Sequence, residues 1–237
     1  MESCYGGKSI RYHRKRLVPI FLYTLSRKRT QPPSNFLFMK YVSLCFFATL
    51  FIINIAQAQN EPLLLDIDEP WRSERLDFPI SFAPSLDYKG IEEVRFAKGW
   101  GNPESDEFWT YTFLWYLDED PNLTIHKLEK DLETYFDGLM GLVGKGNGLT
   151  DIPDTKVVLA GLPDTNIKDF DGMRYQGKAN VFDAFFSKKI QTLQVGVISD
   201  YCPKTKKYTV LFTFSPQERT HPIWKTLQGI QLSVDCE

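Results

Sequence analysis

Histidine is almost missing from this chain: three among 237 residues, at positions 13, 126 and 221. None stands in an H-E-x-x-H pair, and no G-x-S-x-G occurs, so neither a zinc-protease helix nor a nucleophile elbow is written in the sequence. Cysteine is nearly as scarce, with four residues. Two isolated cysteines with no histidine beside them make half a zinc site at most, so no metal is expected. There are no internal repeats and no low-complexity segment. No apolar run reaches the roughly 20 residues that cross about 30 Å of hydrocarbon.

One shorter run is present. Residues 39–59 read MKYVSLCFFATLFIINIAQAQ. A positive start, an apolar stretch and small residues at the −3 and −1 positions are the parts of a secretory signal. Lys40 supplies the charge, and Ala56 and Ala58 are the small residues, which puts the cut between Ala58 and Gln59. Cys45 lies inside the apolar run behind Leu44, a poor setting for lipidation. Residues 1–38 form a basic leader with one acid, Glu2, and no sustained period. Either translation starts at Met39 and the leader is not made, or the leader is a basic cytoplasmic arm. Nucleic-acid binding by that arm requires that it be translated and remain in the cytoplasm.

Cleavage changes the charge. The first 58 residues hold nine of the 28 basic residues and one of the 30 acidic ones, leaving 19 against 29, or −10. That charge argues against long-range attraction to nucleic acid or anionic lipid. Of the four cysteines, Cys202 and Cys236 remain, and in an oxidising compartment they are a candidate disulfide. For the 35-residue loop from 202 to 236, the chain-entropy account gives about 3–4 kcal/mol.

Residues 59–78 have no clear period and read as an N-terminal arm. Residues 79–237 read as one domain. Strands are expected at 91–97, 107–117, 156–161, 172–182, 191–199 and 208–214. The second alternates most clearly, with Trp109, Tyr111, Phe113, Trp115 and Leu117 on one face. Ile125, Leu128, Leu132, Phe136, Leu139 and Val143 recur at steps of three and four, which predicts a helix over 124–143 capped by Thr124 and ended by glycines. Ile223, Trp224, Leu227 and Ile230 predict a second helix over 222–232. The expected class is therefore α+β: an antiparallel sheet of about six strands packed against two main helices.

GMRYQGKANVF, QTLQVGVISDY, YTVLFTF and IWKTLQGIQLSV follow one another in an order that resembles the C-terminal half of PsbP-like domains, named for a lumenal subunit of photosystem II. The resemblance spans about residues 79–235 and rests on the order and pattern of elements. It implies antiparallel strands closing on a helix, and an accessory or binding role without catalysis. It carries no functional residue over.

Three stretches invite chemistry. GLMGLVGKGNG at 138–148 lacks the Ser or Thr of a phosphate loop and follows a helix where such a loop precedes one. In DEDPNLTIHKLE at 118–129, Asp118, Asp120, Asn122 and Glu129 stand at calcium-loop positions. Leu123 replaces the required glycine, which favours an acidic helix cap. The aromatic face of the 107–117 strand is either plain core or the wall of a cleft. Trp100, between two glycines, is a candidate contact residue. The binding candidates are Trp100, Trp109, Tyr111 and Trp115. No catalytic residue and no cofactor is assigned. The expected function is an exported, periplasmic or secreted, non-enzymatic module for a protein or small ligand of the cell envelope. It would bind no nucleic acid and keep no membrane span once the signal is cut. The alternative is a hydrolase-like enzyme with dispersed residues around His126 or His221.

Overall fold

The computed structural model describes residues 62–67, 70–162 and 172–236. The basic leader, the signal-like stretch and the Ala58–Gln59 cut lie outside the described residues. The described elements are β1 (Leu65–Asp66), β2 (Arg72–Asp77), β3 (Gly90–Phe96), β4 (Tyr111–Leu117), α1 (Ile125–Gly146), β5 (Lys156–Gly161), β6 (Met173–Phe182), β7 (Ile190–Cys202), β8 (Lys207–Ser215), α2 (Ile223–Gln228) and β9 (Gln231–Leu232). Seven strands form one sheet in the order β2-β3-β4-β8-β7-β6-β5, and β1 pairs with β9 in a second, two-stranded sheet. Every pairing is antiparallel. No described helix is long and apolar enough to cross a membrane.

This corrects the α+β expectation: the fold is mainly β, with one long helix and one short one among the described residues. The apolar spacing over 222–232 is satisfied by six helical residues, after which Gly229 ends the helix and Gln231–Leu232 turn into β9. Ile230 still packs with Ile223, Trp224 and Leu227, so the spacing was right and the element shorter. A seventh strand of the main sheet, β2, comes from the stretch read as an arm. Its sequence RSERLD carries no apolar alternation because it is an edge strand with exposed polar side chains.

The long helix begins where its cap predicts: the Thr124 side chain accepts the N–H of Lys127 at 3.1 Å. It does not stop at its first glycines. A Cβ at Gly138 would stand 2.1 Å from the Phe82 carbonyl oxygen, and one at Gly144 would stand 2.1 Å from Ile152 Cδ1. These glycines let neighbouring chain approach the helix.

The period-2 pattern sorts the sheet into two faces. Val94, Phe113, Trp115, Leu117, Phe212, Phe214, Val195, Ala179 and Val157 point to the α1 side and join Leu128, Leu132 and Phe136 in the main core. On the other face Leu114 and Ala97 meet α2 and the β1 region through Trp224, Leu227, Leu65 and Trp71. Glu93, 1% exposed, anchors β1 there by accepting the N–H groups of Leu64 (2.7 Å) and Leu65 (3.2 Å). Arg75 and Arg95 lie within 3.6 and 3.7 Å of its carboxylate, compensating a buried charge. The expected Cys202–Cys236 disulfide is present, linking the end of β7 to the tail after β9.

Candidate functional site

The α1 face is filled with aromatic rings, and at the β2–β3–β4 end they leave a space. A cavity of about 380 Å³ lies among Phe96 on β3, Tyr111 on β4, Tyr135, Leu139 and Met140 on α1, Phe82, Trp100, Trp109, and Phe185 and Phe186 from the β6–β7 connection. Eight of its fourteen lining residues are aromatic, so the walls are rigid and apolar. Arg72 and Glu74 form the polar rim. They pair at 3.1 Å, and Arg72 lies over the Phe96 ring at 4.7 Å.

Two loops hold the walls. Residues 97–110 are a chain of turns in which the Glu107 carboxylate accepts the Gly99 N–H at 2.7 Å and Trp109 donates its N–H to the Trp100 carbonyl at 3.1 Å. This brings the two indoles together, their centroids 6.2 Å apart. Trp109 sits at φ 54°, a left-handed conformation that is unusual for a bulky side chain. Its place next to a cavity fits the tendency of backbone strain to collect at functional sites. The indole Nε1 atoms of Trp100 and Trp109 are both buried without a hydrogen-bond partner. The second loop is ordered by Asp183, fully buried, whose carboxylate accepts the N–H groups of Phe185 (3.0 Å), Phe186 (2.9 Å) and Ser187 (2.7 Å). The Phe185 and Phe186 rings then stand 5.4 and 5.1 Å from Trp100.

Glu92 lies beneath this aromatic floor, 0% exposed. Tyr135 donates its hydroxyl to Oε1 at 2.8 Å and Trp115 donates Nε1 to Oε2 at 2.7 Å. Burial pushes its carboxyl up to about 7 from an ordinary 4.5, against the opposing pull of these two donors. Burial, with the Glu92 charge second, raises the Tyr111 and Tyr135 hydroxyls well above their usual range.

Trp100, Trp109 and Tyr111 of the sequence candidates line the cavity. Trp115 does not. It is 0% exposed and belongs to the core, bonded to Glu92. The reading of 107–117 missed Phe185 and Phe186, which are distant in sequence. Asp-Ala-Phe-Phe at 183–186 is the available signal, an Asx-type turn presenting two rings.

The dispersed-enzyme reading rested on the histidines. His126 is exposed. His221 Nε2 comes within 4.0 Å of Asp106, whose side chain is 86% exposed, while Nδ1 accepts the Ile223 N–H at 3.3 Å. This is a surface pair at the start of a helix. A tighter cluster joins Tyr88, Lys127 and Asp131: Tyr88 donates to Asp131, and Lys127 reaches Asp131 at 2.8 Å. Burial and then the Asp131 bond raise the Tyr88 hydroxyl far above its ordinary value, the opposite of what a phenolic base requires. Among the described residues no group of His, Cys, Asp and Glu is arranged to hold a metal. Asp120 accepts the Asn122 N–H at 2.8 Å and Glu129 accepts the Leu159 N–H at 2.8 Å, so the calcium-loop carboxylates point to separate tasks. Comparison with protein-family models, with curated proteins and with solved structures returns no match.

Proposed function

We propose that this chain is an exported binding module whose aromatic cavity takes a small apolar ligand, or one apolar side chain of a partner, without transforming it. The observation that carries this reading is the cavity itself: about 380 Å³, within the range of small-molecule sites, with aromatic walls and a charged pair confined to the rim. The signal-like stretch at 39–59 supports export to the periplasm or beyond, and the resemblance of residues 79–235 to PsbP-like domains supports an accessory role. Intact mass of the exported protein would begin at Gln59, and a mass retaining residues 41–58 would contradict that cut.

The test of the cavity is titration of the purified chain with 1-anilinonaphthalene-8-sulfonate, read by energy transfer from tryptophan. One saturable site is expected, weakened about tenfold or more by Trp100→Ala and by Phe186→Ala. Absence of saturable binding, or parental affinity in both variants, overturns the reading.

A further inference from the structure

Arg72 and Glu74 stand on the edge strand β2, opposite Phe96 and Val94 of β3. Both of those partners line the aromatic cavity, and the two charged side chains share one face of the strand at its rim. Arg72 Nη2 and Glu74 Oε1 meet at 3.1 Å, with 63% and 49% of the two side chains exposed. An exposed ion pair adds little to stability, so it opens readily when a ligand offers each member another partner. The Phe96 ring, 4.7 Å from the guanidinium carbon, keeps Arg72 at the mouth. Its five N–H donors leave several beyond the contact with Glu74.

Among the described residues that line the cavity, these two alone are charged, so the rim carries both signs side by side. An apolar anion entering the cavity would set its head against Glu74, and an apolar cation would set its head against Arg72. A head with both signs meets each residue with the opposite charge. In an α-amino acid the ammonium nitrogen and the carboxylate carbon are joined through one carbon and lie about 2.5 Å apart. That is close to the 3.1 Å between the rim charges. The depth of the site suits the side chain on the same carbon. A cavity of roughly 150 Å³ holds one benzene ring. About 380 Å³ holds an indole or phenol ring together with the α-carbon beside it. Aromatic pairs favour edge-to-face contact, and the wall rings already meet in that way, Trp100 with Phe185 at 72° and with Phe186 at 78°.

Building on the reading of this cavity as a ligand site, we propose that its ligand is a free aromatic α-amino acid. The ring enters the cavity, the α-carboxylate takes the place of Glu74 on Arg72, and the α-ammonium pairs with the Glu74 carboxylate. The four charges then alternate in sign around the mouth, and neither rim residue is left without a partner. A guanidinium suits the planar carboxylate because it can donate two parallel N–H groups to it. A residue inside a peptide lacks both charges and a terminal residue keeps only one, so the rim selects the free amino acid. The charged heads stay in contact with water, which holds the selectivity to a modest factor.

The experiment is displacement of 1-anilinonaphthalene-8-sulfonate from the full chain, with the probe excited directly. The competitors are L-tryptophan, tryptophanamide (no carboxylate), N-acetyltryptophan (no ammonium) and L-alanine (the same head with no ring). L-Tryptophan is expected to displace the probe at a concentration about fivefold lower than either analogue, and L-alanine should not displace it. Arg72→Gln should abolish the preference over tryptophanamide and keep that over N-acetyltryptophan, and Glu74→Gln should do the reverse. Each ratio is taken within one variant, so a general loss of affinity or stability cancels. No displacement by L-tryptophan, equal displacement by its two analogues, displacement by L-alanine, or ratios unmoved by both substitutions would overturn the amino-acid assignment and leave the cavity reading in place. Absence of saturable probe binding removes the cavity reading and this assignment with it.

Discussion

Glu129 on α1 accepts the backbone N–H of Leu159 on β5 at 2.8 Å. One helical turn later Glu133 accepts the N–H of Val157 at 3.3 Å, and Asp137 accepts that of Thr155, just before the strand, at 2.7 Å. Four residues of helix rise about 6.0 Å and two residues of strand about 6.6 Å, so the two series stay nearly in step. β5 is the last strand of the sheet, and its outward N–H groups would otherwise be an open template for another chain. Replacing both Glu129 and Glu133 by alanine should cost about 2–4 kcal/mol in urea unfolding. It should also raise light scattering at high protein concentration. Unchanged stability would show that water serves these N–H groups equally well.

Glu92 makes stability depend on pH. Its folded value of about 7 exceeds its ordinary 4.5, so the folded state holds the proton more tightly than the unfolded one. The resulting stability is fully present below pH 4.5 and is lost as pH rises to about 7, with a plateau above. The size is about 3 kcal/mol at 1.36 kcal/mol per unit. Denaturant titrations between pH 4 and pH 8 should show this fall in the parent chain. Glu92→Gln should remove that part of the slope, whatever its own absolute stability.

Two glycines three residues apart on α1 should respond in opposite directions to the same change. At Gly141 an added Cβ meets nothing within 4 Å, so Gly141→Ala should stabilise by about 1 kcal/mol through helix propensity alone. At Gly138 the same methyl meets the Phe82 carbonyl oxygen at 2.1 Å, and backbone must move. Gly138→Ala should therefore destabilise by about 1–3 kcal/mol despite its better propensity. Melting temperatures that shift the same way for both would refute the close approach of Phe82.

Asp183 should matter to the cavity without touching its occupant. Asp183→Ala leaves three N–H groups of the 185–187 turn without their acceptor, at a cost of about 2–3 kcal/mol. The probe affinity of the aromatic cavity should fall with it, because Phe185 and Phe186 lose their fixed position. Asp183→Asn keeps an acceptor and should recover part of both effects. Full probe affinity in Asp183→Ala would mean that the two rings hold their place by packing alone.

What the sequence disclosed follows from how each element is stabilised. β4 was legible because its two faces bury different sets of residues, so Tyr111, Phe113 and Trp115 alternate with threonines and Leu114. Thr124 announced α1 by its cap chemistry. β2 was hidden because its α1-side residues Arg72 and Glu74 form a rim and need no apolar pattern. The length of α2 was hidden because Ile230 completes its apolar cluster from outside the helix. The cavity was half visible: Trp100, Trp109 and Tyr111 are neighbours in sequence, whereas Phe185 and Phe186 arrive only through the β6–β7 connection. That Val158 and Ile198 stay exposed had no sequence signal, since all the central strands share the same alternation.

The pairing of β1 with β9 sets Leu65 opposite Leu232, so the first and last described strands run side by side in opposite directions. A pull on the two ends of such a pair opens it one rung at a time, the weakest way to load a ladder. The Cys202–Cys236 bond alters the path of that force. Tension applied at Cys236 enters the fold at the end of β7, inside the seven-stranded sheet, and bypasses β9. While the bond is oxidised, the two-stranded sheet carries tension from its β1 side alone. Reduction would turn it into a zipper that opens before the main sheet is strained.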